Sequence, residues 1–337
     1  MSLLPYLNRV VSREPLSAGD AEAAMHIILS GEATHAQIAS FLTALKMKGE
    51  TSDELVGFAR AMRRMAAPIA HGLGGEALLD TCGTGGDGAN TFNISTVAAF
   101  VVAGAGVHVA KHGNRSISSK CGSADLLEAW GADIAMPPER AARAIREIGI
   151  GFLFAPAVHS AMKHAQPVRT ELKMRTAFNL LGPLTNPAGA NAQLAGAPSL
   201  EAAELIAHAL AALGLNRGFV VHGSDGLDEI TTTGPTTVWE IRDGRAEKRI
   251  LEPADFGLRT ARPEDLRGGD ARRNREIADG VLAGAPGPAR DIVMANAAAA
   301  LVAAGKAETF LEGMALAVVA IETGAAKRKV ADLAGFR

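Results

Sequence analysis

Apolar positions through residues 1–70 recur every three or four residues, the spacing that lays one stripe along a helix. Ile38, Phe41, Leu42 and Leu45 form one such stripe and read as core packing. Capping chemistry marks where the helices start: Ser17 before one, and the reciprocal pairs Thr34 with Gln37 and Thr51 with Glu54 before two more. The region is predicted to be a small all-helical unit. After the Gly-Leu-Gly-Gly run at 72–75 the period changes. Short apolar runs at 77–80, 107–110, 151–155 and 218–222 alternate with helical patterns, which predicts an α/β fold with a largely parallel sheet. Residues 159–180 read as helical again and 182–187 as a turn-rich break, so the helical domain is expected to be discontinuous in sequence. A helix is expected at 199–213 and two alanine-rich helices within 291–323, with no internal repeat.

At 337 residues the chain exceeds one typical core and is expected to form two domains, one of them large. The expected division is 1–70 with 160–187 for the helical domain and 71–159 with 188–337 for the α/β domain. A net charge of -2 and 4% aromatic residues argue against a dedicated nucleic-acid binder, which needs a basic surface and stacking platforms. Small molecules are the expected partners. The cysteines, Cys82 and Cys121, are too few for a disulfide framework and lack C-x-x-C spacing; with no secretory signal pattern at the start, they point to the cytoplasm. The uncharged run 94–110 approaches membrane-spanning length, but Ser95, Thr96, Gly104, Gly106 and His108 divide it into helix, turn and strand, so no membrane partner is expected.

Candidate chemistry lies in three loops, each following a predicted strand. In open α/β sheets ligands collect beyond the carboxyl ends of the strands, so the loops are expected to share one rim. The first, Gly83-Thr84-Gly85-Gly86-Asp87, leads toward a helix starting near Asn93, and its amides with the helix N-terminus suit a phosphate. Thr91, Asn93, Ser95 and Thr96 add hydrogen-bonding groups. Alone, such a turn is often a plain tight turn. The second, Lys111-His112-Gly113-Asn114 with Ser118-Ser119, is expected after the next strand and before a helix beginning near Ser123. The third contains Asp225 and the adjacent pair Asp228-Glu229. Adjacent acids are commonly a hydrated surface, but at a strand end facing phosphates they suit Mg²⁺, a hard ion that links carboxylates to phosphate oxygens. Asp225 reads as a turn residue. Arg169, within Gln166-Pro167-Val168-Arg169-Thr170, reads as solvent-facing unless its segment leans over the rim, where its fork would suit a carboxylate.

Taken together, 31–38 (Gly-Glu-Ala-Thr-His-Ala-Gln-Ile), 48–51, 80–87, 93–96, 111–125, 175–187 and 227–230 resemble the anthranilate phosphoribosyltransferases across nearly the whole chain. The resemblance implies a homodimer with a small helical domain facing a larger α/β domain across a hinged cleft, an architecture shared with pyrimidine nucleoside phosphorylases. It implies transfer of phosphoribosyl from 5-phosphoribosyl 1-pyrophosphate to the amine of anthranilate in tryptophan biosynthesis, with Mg²⁺ as cofactor. By matching positions it places Gly83, Gly86, Asp87, Thr91, Asn93, Ser95, Thr96, Lys111, Asn114, Ser119 and Ser123 on the donor. Gly83, Asn114, Arg169, His112 and His159 fall on anthranilate or its approach, and Ser95, Asp228 and Glu229 on Mg²⁺. No side chain is required as an acid or base; Arg169 and Asn114 position the acceptor. Gly72, Gly74 and Gly75 are the expected hinge points. Lys173-Met174 stands where the family often has Gly-Ile. The alternatives are a nucleoside phosphorylase of the same architecture and a catalytically silent nucleic-acid-binding relative.

Overall fold

The computed structural model describes residues 2–116 and 120–337. Four helices open the chain: α1 (Leu4–Val11), α2 (Ala18–Leu29), α3 (His35–Lys48) and α4 (Ser52–Met65). Ser17, Thr34 and Thr51 each accept a first-turn backbone N–H through the side chain, and Gln37 and Glu54 reciprocate to complete two capping boxes. Glu54 does more than cap. Its buried carboxylate accepts Leu16 N at 3.0 Å and Lys48 Nζ at 2.9 Å, which ties α4 to the loop before α2 and to the end of α3 through a paired charge.

The α/β part begins at β1 (Leu78–Asp80), followed by α5 (Ile94–Gly104), β2 (His108–Gly113), α6 (Ser123–Ala129), α7 (Pro138–Ile148) and β3 (Ile150–Phe154). The chain then makes α8 (Ala155–Val158), α9 (Gln166–Leu172), β4 (Ala192–Gly196), α10 (Leu200–Ala212), β5 (Arg217–Gly223), β6 (Thr236–Arg242) and β7 (Arg245–Leu251). It finishes with α11 (Ala271–Leu282), α12 (Pro288–Ala303), α13 (Phe310–Glu322) and α14 (Ala325–Gly335). Among the described residues the strands form one sheet in the order β3-β2-β1-β4-β5-β6-β7. The first five run parallel, while β6 and β7 join antiparallel at the edge. The order reverses at β1, whose neighbours are β2 and β4, so a crevice opens beyond Asp80.

Two apolar cores flank this sheet. One packs α5, α12 and α14 with the inner residues of β1, β2 and β3. The other joins the helical bundle to α10 and to Ala195, Val220, Trp239 and Ile241 of β4, β5 and β6. The bundle therefore reaches the sheet through α10, which packs on β5 and β6.

Three local expectations are corrected. Residues 159–180 are not one helix: a 3₁₀ turn at Ser160–His164, α9 and a second 3₁₀ turn at Ala177–Asn179 share the span. Pro167 sits in the first turn of α9, where its missing N–H would be unpaired anyway but could not continue a preceding α-helix, and Lys173 ends the helix at φ 48°. Lys111 and His112 lie inside β2 rather than after it, since that strand runs three residues past the apolar stretch. Finally, β4 and the β6–β7 hairpin have no counterpart in the sequence reading. The hairpin turns on Asp243-Gly244 at φ 51° and 73°, the two-residue Asp-Gly signal that periodicity alone passes over. Expectations that hold include the division of 94–110 into helix, turn and strand, and the two late helices α12 and α13.

Candidate active site

Beyond the end of β1 the chain enters the crevice beside β4. Thr84 N donates to Gly196 O at 2.9 Å, and a Cβ on Gly196 would overlap the backbone carbonyl of Asp228, so only glycine lets these three loops meet. Gly83 lies in the same junction, with Asp228 Oδ2 3.1 Å from where its Cβ would be. Gly85 N donates to Asp228 Oδ2 at 2.8 Å, and Ser95 N, in the first turn of α5, donates to Glu229 Oε1 at 3.1 Å. The adjacent acids are therefore divided between the glycine turn and the N-terminus of α5. They do not form a hydrated surface pair.

Both carboxylates titrate above their usual range. Burial raises Asp228, with the negative charge of Asp87 adding to it. Burial also raises Glu229, with Asp228 adding to it and Lys111 opposing. Two neighbouring acids and Asp87 thus face each other with insufficient positive charge, a set of hard oxygen donors suited to a divalent cation.

Lys111 is buried in β2, and its Nζ reaches Thr81 O at 3.1 Å, beneath the first loop. Next to it, Asp80 accepts His112 N at 3.1 Å and Asn186 Nδ2 at 2.8 Å; burial lifts its pKa to about 6, partly offset by Lys111. Asp80 and Asn186 were not singled out as site residues in the sequence. A carboxylate closing an apolar strand was the available signal for the first; nothing local distinguished the second.

The remaining donor-side residues divide by what their groups already do. Asn93 is committed on both ends of its amide, donating to Cys121 O at 3.1 Å and accepting from Asn274 Nδ2 at 2.9 Å. Thr96 is buried in the first turn of α5, and Thr91 forms an isolated backbone bridge to Arg267. Ser123 Oγ both accepts Asn114 N at 3.2 Å and donates to Asn114 O at 3.1 Å, fixing the backbone where β2 ends. Ser118 and Ser119 lie outside the described residues. Arg115 is engaged with Asp125 and Glu128 at 2.9 and 2.6 Å.

On the other side, His112 and His159 meet edge to face with ring centres 5.1 Å apart. His112 Nδ1 faces Gly182 O at 3.1 Å, the geometry of a donated N–H, and Nε2 of both rings is buried without a hydrogen-bond partner among the described residues. Burial lowers the His112 pKa to about 4 and the His159 pKa to about 3, so both rings are neutral near pH 7. Arg169 is half-buried, stacks 5.2 Å over Phe178 and donates to Gln166 Oε1 at 3.3 Å. It is not the solvent-facing residue that its segment suggests in isolation. Cys82 and Cys121 are buried, and burial raises both thiols, which fits packing rather than reactive roles.

Comparison with known proteins agrees with this architecture domain by domain. The glycosyl transferase family helical bundle domain matches residues 4–66, and the glycosyl transferase family a/b domain matches residues 75–327. The chain is 76% identical over 336 residues to an anthranilate phosphoribosyltransferase of Solibacter usitatus, covering 100% of this chain and 99% of that protein. It is 55% identical over 324 residues to the one from Moorella thermoacetica, covering 96% and 95%. Among solved structures, the anthranilate phosphoribosyltransferase of Thermus thermophilus superposes with a TM-score of 0.92 at 44% identity, covering 98% of both chains. The Saccharomyces cerevisiae enzyme in complex with PRPP and Mg superposes with a TM-score of 0.90 at 31% identity, covering 98% of this chain and 96% of that one.

Proposed function

The chain belongs to the glycosyl transferase family built from a helical bundle domain and an a/b domain, and from that premise we propose how its cleft carries out the family's chemistry. It is an anthranilate phosphoribosyltransferase: it moves the phosphoribosyl group of 5-phosphoribosyl 1-pyrophosphate onto the amine of anthranilate, as its full-length relatives' names support. The bond from ribose C1 to pyrophosphate breaks, a C–N bond forms at the same carbon, and the amine loses one proton. The phosphorylase and nucleic-acid readings are left without support from these relatives.

The observation that carries the site assignment is the meeting of the glycine turn and the α5 N-terminus on Asp228 and Glu229. Asp228 and Glu229, with Ser95 beside them, would hold Mg²⁺; once bound, the ion would neutralise charge developing on the leaving pyrophosphate. The amides of Gly86 and Asp87, which have no acceptor among the described residues, and the Lys111 charge favour the same anion from the protein side. Gly83, Gly86, Asp87, Thr91, Ser95, Thr96, Lys111, Asn114, Ser119 and Ser123 complete the proposed donor contacts. Asn93 belongs with them as the strut that holds the 121–122 backbone to α11 through Asn274.

Anthranilate brings a carboxylate and an amine that is already neutral near pH 7, so its orientation matters more than a base. Arg169, held over Phe178, would pair the carboxylate, with Gly83 and Asn114 where the substrates meet. His112 and His159 are neutral and line the approach without adding charge. Gly72 and Gly74, at φ 72° and 63° with open space around them, suit a hinge between units 1–70 with 160–187 and 71–159 with 188–337, together with Gly75. Homodimeric assembly and a cytoplasmic setting complete the proposal; among the described residues no helix is long and apolar enough to cross a membrane. Anthranilate fluorescence tests the activity: it falls when donor and Mg²⁺ are added together. A signal unchanged under those conditions refutes it.

A further inference from the structure

Arg175 opens the 175–187 stretch but has no role in the site as described so far, yet its side chain links the 160–187 segment to the glycine turn. Its Nη1 donates to Gly86 O at 2.9 Å and its Nη2 to Gly85 O at 3.2 Å, one planar fork spanning two successive carbonyls. A Cβ on Gly86, which sits at φ 79°, would overlap Arg175 Nη1, so the guanidinium occupies the side of the turn that a side chain would fill. In a trans peptide the C=O and the following N–H point in opposite directions. Holding the carbonyls of Gly85 and Gly86 on one side therefore turns the amides of Gly86 and Asp87 to the other. Among the described residues neither amide has an acceptor. On the same turn Gly85 N is already fixed by Asp228. The loop is thus gripped from both sides, with two adjacent amides left to meet an anion.

We propose that Arg175 is a positioning residue for the phosphorylated donor: its guanidinium holds the 85–86 carbonyls so that the Gly86 and Asp87 amides face the pyrophosphate. The inference rests on the phosphoribosyl-transfer reading of the cleft. Arg175 acts through the loop backbone and touches neither the acceptor nor the reacting carbon. It also follows Arg169 by six residues in the same segment, so one stretch of chain orders both substrates' subsites.

The test uses the full-length protein, with inorganic pyrophosphate and Mg²⁺ titrated calorimetrically and both KM values measured. For Arg175→Ala we expect pyrophosphate binding weakened and the donor KM raised, each about tenfold, the low end for losing hydrogen bonds to a charged group at an exposed site. The anthranilate KM and melting temperature should stay unchanged. Arg175→Lys, able to reach one carbonyl, should recover part of the donor affinity. Wild-type protein that fails to bind pyrophosphate refutes the functional reading itself. Wild-type binding matched by Arg175→Ala, or equal losses in both KM values with a lowered melting temperature, overturns the role of Arg175 alone.

Discussion

Gly85 and Asp228 are 143 residues apart in sequence, and the amide of the first donates to Oδ2 of the second at 2.8 Å. The contact forms because Gly196 has no side chain where Asp228 passes over β4. Gly196→Ala should therefore displace the 227–230 loop. The expected outcome is loss of Mg²⁺-induced thermal stabilisation with far-UV circular dichroism retained; a Mg²⁺ response equal to wild type contradicts the role given to this close approach.

Arg169→Ala removes the proposed partner of the acceptor's carboxylate and leaves the glycine turn intact. The anthranilate KM is expected to rise by about tenfold or more, as for a lost charge-assisted pair, while the donor KM changes little. Equal changes in both constants assign Arg169 to packing on Phe178.

The two histidines make stability depend on pH in a defined direction. Folded-state values of about 4 for His112 and about 3 for His159 lie below the ordinary value of 6.5, so the fold prefers the neutral ring. Their contribution is fully present above pH 6.5 and is lost as pH falls toward the folded values. Asp80, raised to about 6, acts oppositely: its contribution is present below pH 3.8 and lost as pH rises through 6. Comparing wild type with His112→Asn by urea unfolding isolates the imidazole. Wild type should lose about 2 kcal/mol more between pH 7 and pH 5, and parallel pH profiles contradict the burial of a neutral ring.

Lys173 occupies a left-handed conformation at the C-terminus of α9, φ 48°, at a position where glycine is at ease. Lys173→Gly should stabilise the protein by about 0.5 kcal/mol, the strain relieved being partly offset by glycine's larger unfolded-state entropy. A lower urea midpoint in the variant points instead to a contact made by the lysine.

The sequence was most legible where chemistry is local. Capping residues located three helices, and glycine turns following apolar runs located the rim. It was least legible where partners are distant. Nothing near Arg175 indicates that it grips the carbonyls of residues 85 and 86, and nothing near Asn186 indicates that it holds Asp80. Lys111 illustrates the middle case: its charge was recognised, but β2 extends past its apolar residues, which buries a lysine the pattern had placed in a loop. The segment 159–180 failed for another reason, since Pro167 and a left-handed Lys173 break a helical composition into short turns.

Asp228 and Glu229 carry the central claim, and the Asp228→Asn with Glu229→Gln double variant addresses it most directly. Anthranilate fluorescence should be followed with saturating donor across a Mg²⁺ titration, beside thermal melts of the same samples. The expected result is turnover reduced by about a hundredfold or more, as when a group stabilising developing charge is removed, with a normal fold and no Mg²⁺ response. Mg²⁺-dependent turnover at the wild-type level would contradict the assignment of this pair as the metal-holding end of the site.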